Sequence, residues 1–433
     1  MMEGWKRVKI GDLGEVITGN TPPKKDPANY GGDYPFIKPT DMEIDRRYVT
    51  NWEENYSEKA FKRYKNSYIP PKATGVVTIG TVGEKIFQAD RYCFTNQSVN
   101  VVIPNESYDE DFVYYVLKIN LPKVLNANPG TASGRHHVSK SNFCAIKIDV
   151  PKSKETQRKI ATILSAYDDL IENNLKRIKL LEEQAQLTYE EWFVRFKFPG
   201  HETVKFDEET GLPMGWEKVK LSKIATFMNG YAFKPKDLGD KGLPVIKIKE
   251  MKNGLNSDSP RNCGKNIPDK YIVENGDILF SWSASLEVVI WLYEKGLVNQ
   301  HLFKVTPAKG FGYSYVYLAT KNSLKIFDSL TTGATRKHIK RKELDFVKLN
   351  KPEQIKMNSF EKIVRPMFNS IINLSKQNQH LKEARDILLP RLMSGMIDPS
   401  TSSGQVVDKL EGGSLKYEVN DSLGMVAEEN SEY

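Results

Sequence analysis

The 433-residue sequence predicts an α+β fold: two duplicated α/β domains joined by two long helices that pair as a coiled coil. Three observations carry this. The chain repeats itself with a period of about two hundred residues. The first part of each repeat is built of short strand-like runs broken by Gly, Pro and Asn. Each repeat closes on a long segment without turn signals, whose apolar residues alternate in fours and threes.

The repeat is visible five times in the same order. "GWKRVKIGDLGEVITGN" from Gly4 returns as "GWEKVKLSKIATFMNG" from Gly215, and "YPFIKPTDM" from Tyr34 as "LPVIKIKEM" from Leu243. "FTNQSVNVVIP" from Phe94 returns as "LVNQHLFKVTP" from Leu297, and "DFVYYVLK" from Asp111 as "SYVYLATK" from Ser314. "TASGRHHVSKSNFCAIKIDVP" aligns without gaps on "TGATRKHIKRKELDFVKLNKP". A period this long marks a duplicated domain and not a solenoid.

The first helix is expected from about Glu155 to Phe196, with a seam of Ile160, Leu164, Tyr167, Ile171, Asn174, Ile178, Leu181, Ala185, Thr188 and Trp192. The second offers Phe360, Val364, Met367, Ile371, Leu374, Asn378 and Leu381, then Arg385 and Leu388. Pro366 is expected to start or kink the second helix, and Pro390 to end it. One such helix alone would lie on its own domain, but two matched seams favour pairing with each other. Each seam holds an asparagine near its middle, which costs stability but fixes register, because the amide is satisfied only opposite a polar partner. The resulting division is a first domain at 1–152, a helix at 153–198, a second domain at 199–351 and a helix at 352–395. Residues 396–433 form an acidic tail without periodicity, expected to be disordered.

Charge is unevenly spread. The net charge is +8, but the segment from Met396 onward carries −6, leaving +14 on the body. A basic body suits a polyanion such as nucleic acid, although a solvated basic surface would have the same composition. No apolar run is long enough to cross a bilayer and no signal-peptide pattern follows the first residues, so a cytoplasmic protein is expected. Three widely spaced cysteines, Cys93, Cys144 and Cys263, fit neither a disulfide framework nor a Cys-type zinc site.

Catalytic signatures are missing from the sequence. There is no Walker A pattern, no HExxH, no GxSxG and no amino-methyltransferase tetrapeptide. "GVVTIGTVGEKIF" is glycine-rich but does not spell a dinucleotide fingerprint, and reads as strand turns. The pair His136–His137 invites a metal reading. Adjacent residues diverge on a strand or a helix, and the second copy has Lys337 in place of His136, so the metal reading fails.

What the duplication keeps in that segment is positive charge and hydrogen-bond donors. The first copy has Thr131, Arg135, His136 and Lys140; the second has Thr332, Arg336, Lys337, Lys340 and Arg341. Such groups suit phosphate oxygens, or guanine O6 and N7 in a major groove, and equally a solvated basic turn.

From Gly4 to Gly395 the order of parts resembles the specificity subunit of type I restriction-modification systems. The duplicated "GW..V.L" openings carry the resemblance, with "GDILFSWSAS" from Gly276 and the "TQRKIATILSAYDDLIENNLKRIKLLEEQ" helix with its "YEEWFVRF" end. "LLPRLMSG" closes the second helix. The resemblance implies two target recognition domains, each reading one part of a split DNA sequence, and helices that pair antiparallel with pseudo-twofold symmetry. It also implies two methyltransferase subunits and restriction-translocase subunits as partners, which would carry the S-adenosylmethionine, ATP and magnesium. This chain itself would hold no cofactor and no catalytic residue. A helix of about 42 residues is roughly 60 Å long, which matches on the order of 18 base pairs, so the paired helices would set the unread gap. Competing readings are a coiled-coil scaffold that binds no nucleic acid, and a self-contained DNA methyltransferase or nuclease.

Overall fold

The computed structural model describes residues 3–128, 136–256, 258–262, 266–330 and 339–400, with side chains of the helix ending at Leu330 described to residue 327. Two compact units divide the chain: residues 1–166 with 385–433, and residues 167–384.

In the first unit, a four-stranded antiparallel sheet runs in the order Gly14–Thr18, Val99–Pro104, Thr74–Val77, Ile86–Gln88. A second sheet orders Glu54–Tyr56, Tyr30–Ile37 and Phe94–Thr95, the last two parallel. A ribbon of Trp5–Lys9 with Lys147–Pro151 brings the two ends of the domain together. The helix Glu110–Ile119 starts where Asp109 Oδ1 accepts the Phe112 amide at 3.0 Å, an N-cap that satisfies an otherwise orphaned donor. Its residues Phe112, Val113, Tyr115 and Val116 are buried against the strands.

The second unit repeats this plan. Its sheet order is Ala225–Asn229, Leu302–Pro307, Ile278–Ser281, Glu287–Ile290. Leu238–Ile246 again runs parallel to a short strand, Gly296–Val298. Glu217–Lys220 again pairs with Lys348–Lys351. The central strands Thr74–Val77 and Ile278–Ser281 are buried at every position, so neither shows the alternation of a half-exposed strand.

The first long helix spans Lys154–Tyr189 and continues as a π-helical turn, Glu190–Val194, that carries Trp192 and Phe193 into the core of the second unit. The second spans Gln354–Met393. Within the first unit, Ile160 and Leu164 share a core with Leu389 and Leu392. Within the second, Asn174 meets Asn378, and Tyr189, Trp192 and Phe193 surround Phe360. Rising numbers on one helix meet falling numbers on the other, so the pair is antiparallel.

Ile160, Leu164, Ile171, Asn174, Ile371, Leu374 and Asn378 are buried, while Ile178, Leu181, Met367 and Leu381 are half-buried. The buried stripe departs from the expected seam in places: Asp168, Tyr189, Phe368 and Leu389 are buried where Tyr167, Thr188, Met367 and Leu388 were expected. At Asp168 and Phe368 a four-then-three step replaces the expected three-then-four step, and the stripe rejoins the expected seam at Ile171 and Ile371, because a buried helix face is wide enough to take either neighbour.

The second helix begins at Gln354, so Pro366 does not start it, and it continues to Met393, three residues past Pro390, where it was expected to end. Pro366 and Lys362, whose carbonyl loses its amide partner, are both exposed, so water can satisfy the freed group. Pro390 sits in the last turn, where few intrahelical bonds remain to be lost.

Candidate nucleic-acid interface

The basic segment identified in the sequence is held, in both copies, by the same backbone clasp, which lies just before its last cations. The Val138 amide donates to Thr78 O at 2.8 Å, and the Ile339 amide to Trp282 O at 2.9 Å. Thr78 and Trp282 each follow the central strand of their sheet, as the strand registers show. Val138 and Ile339 are each 1% exposed, so an apolar plug and one hydrogen bond pin this part of the segment to the sheet. A second bond in the first copy, Gly80 N to His136 O at 3.0 Å, holds the glycine-rich turn against it. Gly80 and Gly83 have φ of +90° and +80°, which glycine adopts without strain, in the turn between antiparallel strands.

His136 is exposed, and its Nδ1 lies 2.8 Å from Asn128 Nδ2. Lys140 opens the short helix Lys140–Ala145, capped by Ser139 Oγ, which accepts the Asn142 amide at 3.2 Å. Arg341 holds the equivalent first position of the 3-10 turn Arg341–Phe346, where the Lys340 amide donates to Glu343 Oε2 at 2.9 Å. Lys140, Lys340 and Arg341 are exposed. Thr131, Arg135, Thr332, Arg336 and Lys337 lie outside the described residues. Lys140 shares a surface groove with Glu15, Thr18, Asn20, Arg63 and Asn66. Among the described residues, no group of three His, Cys, Asp or Glu could hold a metal ion.

At the other end of the same central strand, where Gln88 pairs with Thr74, the first unit carries a charged anchor that the sequence does not single out. Arg47, 1% exposed, donates from Nε to Gln88 Oε1 at 2.8 Å and pairs through Nη2 with Asp111 Oδ1 at 2.5 Å. Its guanidinium also lies within 5.5 Å of the rings of Tyr48, Tyr114 and Tyr115. Lys72 Nζ reaches the same carboxylate at 2.7 Å. Burial would raise the Asp111 pKa, but the charges of Arg47 and Lys72 outweigh it and hold the carboxyl below its usual range.

Comparison with known proteins interprets this arrangement. The type I restriction modification DNA specificity domain matches residues 2–183 and again 213–381, once per copy of the fold. This chain belongs to that family. The MjaIX type I restriction enzyme specificity subunit of Methanocaldococcus jannaschii is 28% identical over 409 residues, covering 90% of this chain and 93% of the relative. The HindI specificity subunit of Haemophilus influenzae is 33% identical over 186 residues, 41% of this chain and 39% of that one. Among solved structures, the type I restriction-modification S subunit from M. genitalium matches with a TM-score of 0.55 at 17% identity, covering 90% of this chain and 96% of that one. That likeness concerns the fold. The copies differ in sequence within the shared frame: the residue after the shared glycine is Asn20 in one copy and Tyr231 in the other.

Proposed function

We propose that this chain is the non-catalytic DNA-recognition subunit of a type I restriction-modification complex, with a bipartite and asymmetric target. The observation that carries this reading is the family match recurring on each copy of a duplicated fold. We assign residues 1–152 and 199–351 to the two readers, 153–198 and 352–395 to the helices that space them, and 396–433 to an acidic tail. Two methyltransferase subunits and the restriction-translocase subunits are the proposed partners, and S-adenosylmethionine, ATP and magnesium belong to them. The complex acts on chromosomal and incoming DNA in the cytoplasm; no helix of the described residues is long and apolar enough to cross a membrane.

The basic edge supplies phosphate contacts, because Arg and Lys neutralise phosphates without reading sequence. Mapping methylated adenines genome-wide in hosts with and without this gene tests the proposal. A split motif that vanishes on deletion is the expected result. An unchanged methylation pattern, or DNA methylation by the purified chain alone, would overturn it.

A further inference from the structure

We propose that Gln97 and Gln300, at equivalent turns of the two copies, are adenine-reading residues, one for each half of the target. This rests on the DNA-recognition function proposed above. The dipeptide Asn-Gln occurs in both copies of the repeat, at Asn96–Gln97 and Asn299–Gln300, between the short parallel strand and the long strand that follows it.

The two turns are built alike. In each, the asparagine faces inward and closes the turn: Asn96 Oδ1 accepts the Ser98 amide at 3.1 Å, and Asn299 Oδ1 the His301 amide at 3.4 Å. A glycine from the neighbouring segment packs on the turn's backbone in each copy. A Cβ on Gly19 would overlap the carbonyl oxygens of Thr95 and Asn96, and one on Gly230 would overlap those of Val298 and Asn299. The following residues are tied to the same short strand by Asn20 N to Thr95 O at 2.9 Å and Tyr231 N to Val298 O at 2.8 Å. A rigid turn therefore presents the glutamine, and both glutamines are exposed.

Position makes this turn part of the candidate interface. Ser98 O accepts the Thr78 amide at 2.8 Å, while Thr78 O accepts Val138 from the basic segment. In the second copy, His301 packs against Trp282 with ring centroids 5.8 Å apart, and Trp282 O accepts Ile339. In both copies the glutamine turn and the basic segment thus flank the end of one central strand. The chemistry is complementary, since cations there neutralise phosphate while a carboxamide sets an N–H donor beside a carbonyl acceptor. Those two groups match adenine N7 and N6 in a major groove. Gln97 Oε1 already accepts the Thr21 hydroxyl, which orients the amide, and its Nε2 donates to no described residue. Gln300 is held by its backbone, its amide donating to Tyr231 O at 2.9 Å.

The test uses the full chain assembled with its methyltransferase subunits. The target is first mapped by methylated-adenine sequencing, and binding is then measured on duplexes carrying every base at each specified position. Gln97→Ala is expected to lower discrimination for one adenine in one half-site by on the order of 10- to 100-fold, and Gln300→Ala to do the same in the other half only. Gln97→Glu and Gln300→Glu keep side-chain size and remove the donor, so each should lose adenine preference with unchanged thermal unfolding. In the alanine variants, discrimination unchanged at every position, relaxation at a base other than adenine, or a uniform loss of affinity would overturn the assignment; in the glutamate variants, unchanged adenine discrimination would do so. A wild-type complex that yields no split motif defeats the DNA-reading function itself. A split motif insensitive to these substitutions defeats only the glutamine assignment.

Discussion

Asn174 and Asn378 meet inside the helix pair, with Asn174 Nδ2 donating to Asn378 Oδ1 at 2.9 Å. Both side chains are 6% exposed, so each amide depends on the other. Asn174→Leu or Asn378→Leu alone strands the remaining amide and should cost about 1–3 kcal/mol. The double leucine variant should recover most of that loss, because removing both partners leaves nothing unsatisfied. Urea unfolding of the four proteins of this cycle measures the coupling. Simple addition of the two single effects would show that the amides do not depend on each other.

The Asp111 carboxylate between Arg47 and Lys72 makes stability depend on acid. Its folded-state pKa lies below the unfolded value of about 3.9, so the unfolded chain binds more protons between the two. The stabilisation is therefore present above about pH 4 and lost as pH falls through the lowered folded value. Asp111→Asn should cost roughly 3 kcal/mol near neutrality, since Arg47 keeps a buried charge without its carboxylate. The deficit should shrink toward acid in chemical unfolding followed from about pH 7 to pH 3. A deficit constant across that range would refute the ionic origin.

Both helices and the duplication were legible because periodicity survives in sequence when one face of a helix is buried. The sheets were not. Strands such as Thr74–Val77 are buried on both faces and only four residues long, so they carry no alternation from which to assign partners. Along the helices, Asp168 was missed because a carboxylate breaks an apolar pattern, although it is 3% exposed in the structure. At the candidate interface the basic residues stood out by recurring. The Asn-Gln turn recurred as visibly, but nothing in one dimension places residue 97 beside residue 138. Only the bonds through Thr78 do that. Arg47 and Asp111, 64 positions apart, were silent for the same reason.

The exposed cations of the basic edge should act through phosphate and not through base identity. Lys140→Ala and Arg341→Ala, each in the assembled complex, are expected to weaken specific and non-specific DNA alike. Each should make the slope of log K against log salt shallower by about 1. Filter binding across a salt series on target and scrambled duplexes measures this. A substitution that leaves the slope unchanged removes that residue from the phosphate-contacting set.

The helix pair should set the spacing of the target. The second helix, 40 residues long, measures roughly 60 Å at 1.5 Å per residue. Inserting one heptad into each helix at matched positions keeps the Asn174–Asn378 pair in register and the buried stripe facing inward. It adds about 10 Å of helix, or about 3 base pairs of duplex. Methylation mapping of the variant complex should return the same two half-sites with a longer unread gap. The same insertion in the first helix alone shifts residues beyond it against their partners, so Asn174 and Asn378 cannot both keep their bond and the seam. That variant should unfold more easily than the matched one. An unchanged gap in the matched variant would mean that spacing is set by the partner subunits and not by this chain.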